Sequence, residues 1–324
     1  MSAAAGLNPW APLVALGLVL AGVCYLAMVD RLVGAGLAGG GWRVGAAAAH
    51  PLREALRLLV KEARPTERPD RLLWPAAPLL LVTLAFAALT VMPLSPALIG
   101  ADIGVGVVYL TAMIALVLVA VFASGWACNS KYPLLAGYRF IGLALAYEMP
   151  YAITIIAVAL PAESLALGAI VAVQQETLWN ALLQPLGFLI YLLCALTVAF
   201  RAPFDVNEAA DLAGGSELEL DGAPLLVWRI GRYALLLTTG AFAVPLFLGG
   251  GAGPWLPDAA WTVIKVLAVT AALTAAGHLV ARARLDRFMK VAWVILIPLS
   301  LVNLFLVGLV MLVFPGFFAG GTGG

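Results

Sequence analysis

Eight apolar runs, each about as long as a bilayer is thick, constrain this chain more than any other feature. A helix needs about 20 apolar residues to cross the hydrocarbon core, and backbone groups in lipid must find hydrogen-bond partners within their own segment. The sequence therefore predicts an all-α polytopic membrane protein with eight transmembrane helices in a single membrane domain, residues 1–324. The runs cover roughly 10–29, 72–93, 102–124, 137–160, 180–200, 232–250, 257–280 and 290–315.

Composition excludes several other classes of protein. Charged residues make up 11% of the chain, whereas a soluble domain carries roughly 25%. The net charge of +1 indicates no nucleic-acid partner. Cys24, Cys128 and Cys194 are isolated and the chain holds two histidines, so we expect no disulfide framework, iron–sulfur cluster or metal site.

The basic residues predict how the chain is oriented. All Lys and Arg residues except Lys265 lie in or beside the segments that follow runs 1, 3, 5 and 7. Cytoplasmic loops of membrane proteins carry this excess of positive charge. We therefore expect these four loops in the cytoplasm and both the N- and C-termini outside.

The first cytoplasmic loop, residues 30–71, is predicted to contain an amphipathic helix at 46–62. Its leucines recur at helical spacing beside a basic stripe at i, i+4 and i+8. The leucines are Leu52, Leu56 and Leu59, and the basic residues are Arg53, Arg57 and Lys61. Such a helix lies along the interface rather than across it, either as a lipid-surface anchor or as the wall of a cavity at the membrane edge.

Three ionisable residues fall within or at the ends of the apolar runs: Asp102, Glu148 and Lys265. A charge at the bilayer centre costs about 2.5–3.5 kcal/mol on insertion scales, so such residues normally serve a function or form an ion pair. Glu148 is a candidate proton carrier or a member of a structural pair, with Lys265 as a possible counter-ion. Asp102 begins the third run and is also suited to cap its helix.

A second cytoplasmic loop, residues 201–231, is acidic. Its stretch "FRAPFDVNEAADLAGGSELELDG" contains Asp205, Glu208, Asp211, Glu217, Glu219 and Asp221. Negative lipid headgroups would repel it, so it is freely solvated, folds back on arginines of this chain, or faces a basic partner. Pro203 and Phe204 favour order, Asp205 is placed to cap a helix, and Gly214 would end that helix. We interpret it as a structured loop that faces a partner.

Three motifs resemble one protein family. They are "RAPFDVNEAADLAGG" at 201–215, "SGWACNSKYPLLAGYR" at 124–139 with "AYE" following, and "RARLDRFMKVAWVILIPLSLVNL" at 282–304. Together they resemble the family of H subunits of proton-pumping NADH-quinone oxidoreductase, respiratory complex I. The resemblance extends over nearly the whole chain, and the family's eight spans and outside N-terminus agree with the charge pattern.

The resemblance implies a multi-pass subunit of the cell inner (plasma) membrane that joins the membrane arm to the peripheral redox arm. Quinone would be a substrate at the subunit interface, and the chain itself would hold no flavin and no cluster. We expect Glu148, Lys265 and Asp102 to act in coupling. The positions matched to the quinone chamber and its interfaces are Arg43, Arg53, Lys131, Arg139, Arg201, Asp205, Glu208, Asp211, Glu219, Arg282, Arg284 and Asp286.

The chain departs from the family pattern at polar positions. Val198 stands where the family has a glutamate, Leu143 stands where it has a glutamine, and one acidic residue is missing around Ala209. These departures keep open the equivalent subunit of a related hydrogenase-type or other-donor complex. A free-standing transporter is a further alternative, although the chain shows no inverted repeat of the kind transporters have.

Overall fold

The computed structural model describes residues 11–95, 98–99, 103–209, 211 and 213–314. In chain order the helices are α1 (Ala11–Leu37), α2 (Val44–Val60), α3 (Leu73–Leu89), α4 (Gly106–Ala127), α5 (Lys131–Ala159), α6 (Leu167–Glu176), α7 (Asn180–Leu183), α8 (Pro185–Val198), α9 (Gly222–Phe247), α10 (Asp258–Leu279), α11 (Leu285–Val291) and α12 (Ile297–Val313). A π-helical segment, Ala292–Leu296, joins α11 to α12. A short antiparallel hairpin pairs β1 (Pro93–Ser95) with β2 (Leu98–Ile99).

The helices match the predicted apolar runs. Within the described residues, six helical segments are long and apolar enough to cross a membrane, namely those formed by α1, α4, α5, α9, α10 and α11–α12. Two shorter apolar helices, α3 with 17 residues and α8 with 14, occupy the second and fifth predicted runs. The chain is therefore an all-α polytopic membrane protein, while the count of eight spans stays a prediction.

Two helices continue beyond their apolar runs into charged sequence. Helix α1 extends to Leu37 rather than ending at residue 29, and α9 begins at Gly222 rather than at residue 232. The helices therefore continue into the predicted loops 30–71 and 201–231, whose boundaries stay a prediction. The apolar pattern ends at the first charges, whereas the helices continue through turns in which Asp30, Arg229 and Arg232 form ion pairs.

Helix α9 is the centre of the bundle. It packs against α1, α2, α3, α8 and α10 and is buried over most of its length. Most residues of α1, α10 and α12 are instead partly or fully exposed, as in helices at a lipid boundary. The bundle therefore has a single dense core around α9, with the other spans arranged around it.

The loops alternate between the two ends of the bundle. Contacts between distant segments gather the loops after α2, α4, α8 and α10 at one end, which we call the charged end. Thr66 donates a hydrogen bond to the carbonyl of Cys128 at 2.7 Å, and Lys61 pairs with Asp221. These contacts agree with the loop grouping predicted from Lys and Arg, while the alternation of eight spans, the side that faces the cytoplasm and the outside location of both termini stay predictions.

The predicted amphipathic helix is confirmed as α2. It packs on α1 and α9, with Ala47 and Leu58 buried. Its stripe of Leu52, Leu56 and Leu59 is 55–67% exposed and faces away from the protein. The apolar face is therefore free to contact lipid or a lipophilic molecule at the edge of the bundle.

Candidate functional site

The acidic loop and the ends of α1, α9 and α10 enclose a cleft of about 550 Å³ at the charged end. We call it the ionic cleft because most of its lining side chains are ionisable. Its acids are Asp30, Asp205, Glu208 and Glu217, and its bases are Arg201, Arg232, Arg282 and His278. Ligand sites commonly have volumes of about 300–1,000 Å³, so the ionic cleft has the size of a binding site.

Arg232, in the third turn of α9, joins two acids of the loop. Its Nη2 lies 2.6 Å from Oε2 of Glu208, and its Nη1 lies 2.5 Å from Oε1 of Glu217. Arg229, one turn earlier, donates to the other oxygen of Glu217 at 2.9 Å. Two guanidinium groups therefore fasten the loop to the central helix, and two carboxylates share that of Arg232.

The two carboxylates titrate differently. Burial raises the pKa of Glu208 to about 7, with Arg232 opposing the shift and the nearby Glu217 adding to it. Burial also acts on Glu217, but Arg232 and Arg229 outweigh it and hold the pKa of that carboxyl below its usual value. The pKa values of two carboxylates that share one cation separate in this way. Glu208 is therefore the member of the pair that binds a proton near neutrality.

The carboxylate of Asp30 contacts side chains from three other parts of the chain. Its Oδ2 accepts hydrogen bonds from Nη1 of Arg201 at 3.0 Å and from the Tyr233 hydroxyl at 2.7 Å. Its Oδ1 lies 2.8 Å from Nε2 of His278. Our sequence reasoning missed Asp30 because the first run was taken to end at residue 29. The sequence signal was available, since an acid lies in the helix end just beyond an apolar run.

A second cleft, of about 510 Å³, adjoins the ionic cleft. Asp205 and Arg282, paired at 2.9 Å, line both clefts. The second cleft also contains the Arg139–Asp211 pair at 2.7 Å and the Arg284–Asp286 pair at 3.5 Å. The fold thus brings together eight of the residues predicted for the chamber, in two neighbouring groups.

The acidic loop is ordered, as predicted, but its acidic side chains turn toward this chain. Besides the pairs above, Glu219 accepts a hydrogen bond from Ser130 at 2.9 Å, and Asp221 pairs with Lys61. Bases of this chain bind five of the six acids, so the loop folds back on this chain, one of the alternatives that the sequence left open, while its contact with a partner stays a prediction. The predicted helix after Asp205 is a single turn, Val206–Glu208, and Asp205 binds Arg282 instead of capping it.

Four residues predicted for the chamber lie outside both clefts, and one of them is Glu219, which binds Ser130. Arg43 and Arg53 are exposed at the start and along the length of α2, and Lys131 is exposed as the first residue of α5. Asp102 lies outside the described residues. The structure therefore does not join Arg43, Arg53 or Lys131 to either cleft.

Lys265 is not a counter-ion of Glu148. Its ammonium donates to the carbonyls of Leu248, Gly250 and Ala252 at 2.7–2.9 Å and stands 4.3 Å from the centre of the Trp179 ring. These carbonyls follow the C-terminus of α9, where a helix leaves acceptors unpaired and favours a cation. Lys265 therefore caps the central helix at the end opposite the charged end, and the predicted pair is wrong.

Glu148 lies at mid-helix in α5 and is half-buried. Its Oε1 is shielded from solvent and finds no hydrogen-bond partner among the described residues. Nearer the start of the same helix, Phe140 packs edge-on against Phe200 of the cleft wall with 4.8 Å between ring centres. Leu143 and Val198 are fully buried as well. We call these four apolar residues the plug.

The site's chemistry is that of proton exchange and polar recognition. Its carboxylates, guanidinium groups and imidazole can bind, orient and exchange protons with a polar headgroup. In the described part of the chain, no group of three or more His, Cys, Asp or Glu side chains is arranged to hold a metal ion. The ionisable side chains of the ionic cleft are suited to the proton side of a reaction.

Comparison with known proteins identifies the family. A sequence profile described as NADH dehydrogenase matches residues 11–308. The H subunit of NADH-quinone oxidoreductase from Geobacillus kaustophilus is 38% identical over 262 residues, which cover 79% of this chain and 78% of that protein. The H subunit from Anoxybacillus flavithermus is 34% identical over 311 residues, or 93% of this chain and 92% of the relative. The second H subunit of Cereibacter sphaeroides is 35% identical over 252 residues, or 78% and 79%. The chain therefore belongs to the NADH dehydrogenase family, among the H subunits of NADH-quinone oxidoreductase.

Proposed function

We propose that this chain is the membrane subunit of a complex I-like, proton-translocating NADH-quinone oxidoreductase. It forms part of the quinone chamber and couples quinone reduction to proton movement, while other subunits carry the electrons. The observation that carries the proposal is the ionic cleft, which sets a proton-binding carboxylate, Glu208, among donors at the end of a membrane bundle. The names of the curated relatives support the same activity.

The proposed route by which a lipophilic quinone reaches this cleft follows the exposed face of helix α2. Its exposed leucines lie at the edge of the bundle, and its Glu54 binds Arg229 at 2.7 Å. Arg229 also binds Glu217 of the ionic cleft. A quinone tail on the leucine stripe therefore adjoins the charge network, so we assign α2 as a cavity wall that also contacts lipid.

Quinone reduction requires two electrons and two protons, and the product is a neutral quinol. The quinone carbonyls are hydrogen-bond acceptors, which the guanidinium groups and imidazole of the ionic cleft are suited to bind. Glu208 binds a proton near neutrality and so can supply one. In this proposal the electrons come from a redox subunit and at least one proton from the cleft.

In this proposal, Glu148 links the change of charge at the quinone site to proton movement within the membrane. No protein group in the described part of the chain binds its buried oxygen, so its charge state depends on changes around it rather than on a permanent partner. A carboxyl group inside a membrane bundle is costly to place, and residues of this kind commonly belong to proton routes.

The proposed partners are the peripheral and membrane-arm subunits of the same complex, in the plasma membrane. The exposed basic residues Arg43, Arg53 and Lys131 and the second cleft form the surface that we assign to the peripheral subunits. The test is mild extraction of the tagged chain from its native membrane, followed by identification of co-purifying chains and assay of NADH:quinone activity. Redox subunits with that activity are expected. A complex with hydrogenase subunits, or a chain that purifies alone and inactive, would refute the proposal.

The coupling role is tested with Glu148→Gln in sealed vesicles. We expect normal assembly with loss of proton uptake or of quinone turnover, because the amide cannot exchange a proton. Glu176→Gln, at an exposed carboxylate in α6, is the matched control. Full pumping by an intact Glu148→Gln complex would remove Glu148 from the mechanism.

A further inference from the structure

His278 lies in the last turn of α10 and lines the ionic cleft. Its Nε2 stands 2.8 Å from Oδ1 of Asp30 in α1. The side chains of His278 and Asp30 are 33% and 19% exposed, so both belong to the wall of the cleft rather than to open surface. Because a carboxylate only accepts hydrogen bonds, Nε2 of His278 carries the hydrogen that it donates to Asp30. The contact therefore joins the ends of α1 and α10.

The end of α10 packs closely against both α1 and the acidic loop. Gly34 follows Asp30 by one helical turn, and a Cβ atom at Gly34 would stand 3.2 Å from Cε1 of His278. A Cβ atom at Gly277 would likewise stand 3.2 Å from the carbonyl oxygen of Ala202. Both distances are tighter than ordinary van der Waals contact, so a larger residue would have to displace its neighbour. The two glycines therefore fix the imidazole beside Asp30.

Asp30 divides its carboxylate between two bases. Oδ1 contacts His278, whereas Oδ2 accepts hydrogen bonds from Nη1 of Arg201 at 3.0 Å and from the Tyr233 hydroxyl at 2.7 Å. The guanidinium carbon of Arg201 also lies 4.7 Å from the centre of the Tyr233 ring. The hold of Asp30 on Arg201 therefore depends on how strongly the imidazole engages the same carboxylate.

Arg201 has an unused donor in the ionic cleft. Its Nε is shielded from solvent and finds no hydrogen-bond partner among the described residues, and the same is true of Nε of Arg232. Both arginines line the cleft, whereas Phe200 of the plug lines it without a polar side chain. Leaving a buried N–H unpaired costs free energy. The two guanidinium groups are therefore placed to donate to an acceptor on a molecule bound in the cleft.

The other charged groups near His278 are already engaged or lie apart. The remaining charges of the cleft pair with one another, as Arg232–Glu208, Arg232–Glu217 and Arg282–Asp205. Arg31, next to Asp30 on α1, is exposed. On α10 itself, Lys265 lies thirteen residues before His278, at the opposite end of the bundle. A charge on His278 therefore acts first on Asp30 and, through Asp30, on Arg201.

We propose that His278 is a pH-sensing positioning residue, which sets how tightly Asp30 holds Arg201 and so how well the ionic cleft binds quinone. This inference rests on the proposed function, because it concerns the binding of that enzyme's substrate. Histidine is the side chain that ordinarily changes charge between about pH 5 and 8. The proton comes from water, and no electron moves.

The two charge states of His278 have opposite effects on Arg201. Neutral His278 donates a hydrogen bond to Asp30, and the negative charge of Asp30 is then balanced chiefly by Arg201. Protonated His278 places a second positive charge beside the same carboxylate, which weakens the net attraction between Asp30 and Arg201. Arg201 then donates more readily to a quinone carbonyl. The cleft should therefore bind quinone more tightly at acid pH.

The test measures the KM for quinone of the assembled complex at about pH 6 and 8. The variant is His278→Gln, whose amide can donate a hydrogen bond but takes up no proton. In the parent, KM should rise at least about fivefold from the lower to the higher pH, which is the lower end of the usual coupling between two sites. In His278→Gln, KM should stay near the parent's alkaline value at both.

The control is His50→Gln, which removes an imidazole that lies in α2 outside both clefts. It should keep the parental dependence of KM on pH. Glu208 titrates in all three proteins, so its contribution is common to them. A merely structural role of His278 would lower the amount of intact complex or kcat without changing how KM depends on pH. An equal dependence of KM on pH in the parent and in His278→Gln would overturn the inference.

Cryo-electron microscopy maps of the parent complex at about pH 6 and 8 give a second readout. The guanidinium group of Arg201 should be bound to Asp30 at the higher pH and turned into the cleft at the lower one. The same Arg201–Asp30 distance in both maps would overturn the inference, even if His278→Gln fails to assemble. A parent complex without NADH:quinone activity would instead refute the proposed function.

Discussion

Arg232 of α9 and Glu208 of the acidic loop form an ion pair of 2.6 Å in which the glutamate side chain is 8% exposed. The same guanidinium binds Glu217, so two acids compete for one cation. Because Glu217 also has Arg229, it keeps its charge, and Glu208 becomes the member that takes up a proton. This relationship orders the loop and gives the ionic cleft a titratable group.

The two acids should respond differently to neutralisation. Removing one partner of a buried ion pair commonly costs about 3–5 kcal/mol, so Glu217→Gln should lower the amount of intact complex and its inactivation temperature. Glu208→Gln should be milder near pH 7, because that carboxyl is already partly protonated. Glu62→Gln, at an exposed acid, is the control. Native electrophoresis after graded heating measures the amount of intact complex in all three variants. Equal losses of intact complex for Glu208→Gln and Glu217→Gln would contradict the assignment.

Stability should depend on pH through Glu208. Because its folded pKa of about 7 exceeds its ordinary 4.5, the folded protein binds a proton that the unfolded chain releases. This contribution to stability is complete below the ordinary pKa and is lost as the pH rises through about 7. Comparing inactivation temperatures across this interval should show a decline that Glu208→Gln reduces. If the inactivation temperature declined equally with pH in the parent and in Glu208→Gln, the prediction would be contradicted.

Lys265 should matter for folding rather than for proton movement. Hydrogen bonds to a charged group contribute about 1.5–3 kcal/mol each, so Lys265→Met, which loses three, should cost at least about 3 kcal/mol. Lys265→Arg should recover part of it and keep the parental ratio of protons to electrons. Thermal inactivation and vesicle assays measure these quantities, with Lys131→Met, at an exposed lysine, as control. A stable Lys265→Met complex that fails only in pumping would contradict the capping role.

The leucine stripe of α2 should recognise a lipophilic substrate. A buried leucine side chain is stabilised by about 1.5–3 kcal/mol, so Leu56→Gln should raise KM at least about threefold for a long-chain quinone. The KM for a short-chain quinone should not change. If Leu56 served only as a lipid anchor, its loss would affect the reaction with both quinones. Leu178→Gln, at an exposed leucine far along the chain, is the control.

Photolabelling gives an independent measurement on the same helix. A photoreactive quinone should label residues within 42–62 or the acidic loop. Labels found only in the loops at the opposite end of the bundle would exclude α2 as a wall of the quinone route.

The sequence by itself determined the helical framework. The apolar runs predicted every long helix, the leucine and arginine spacing predicted α2, and the basic residues predicted which loops share an end. These signals are local, because a bilayer requires each spanning segment to satisfy its own backbone and to be apolar over its own length. The extensions of α1 and α9 were missed because hydropathy ends at the first charges, whereas the helices continue into polar sequence.

The tertiary structure alone decided which charges meet. The sequence displays Asp30 and His278, but they are 248 residues apart, and no local pattern indicates that they lie 2.8 Å from each other. It likewise shows Glu148 and Lys265 as intramembrane charges and suggests a pair, whereas the helix end beside Lys265 presents three carbonyls instead. An ionisable side chain takes the partner that packing brings within hydrogen-bond distance, and that choice depends on how all the helices are arranged around α9.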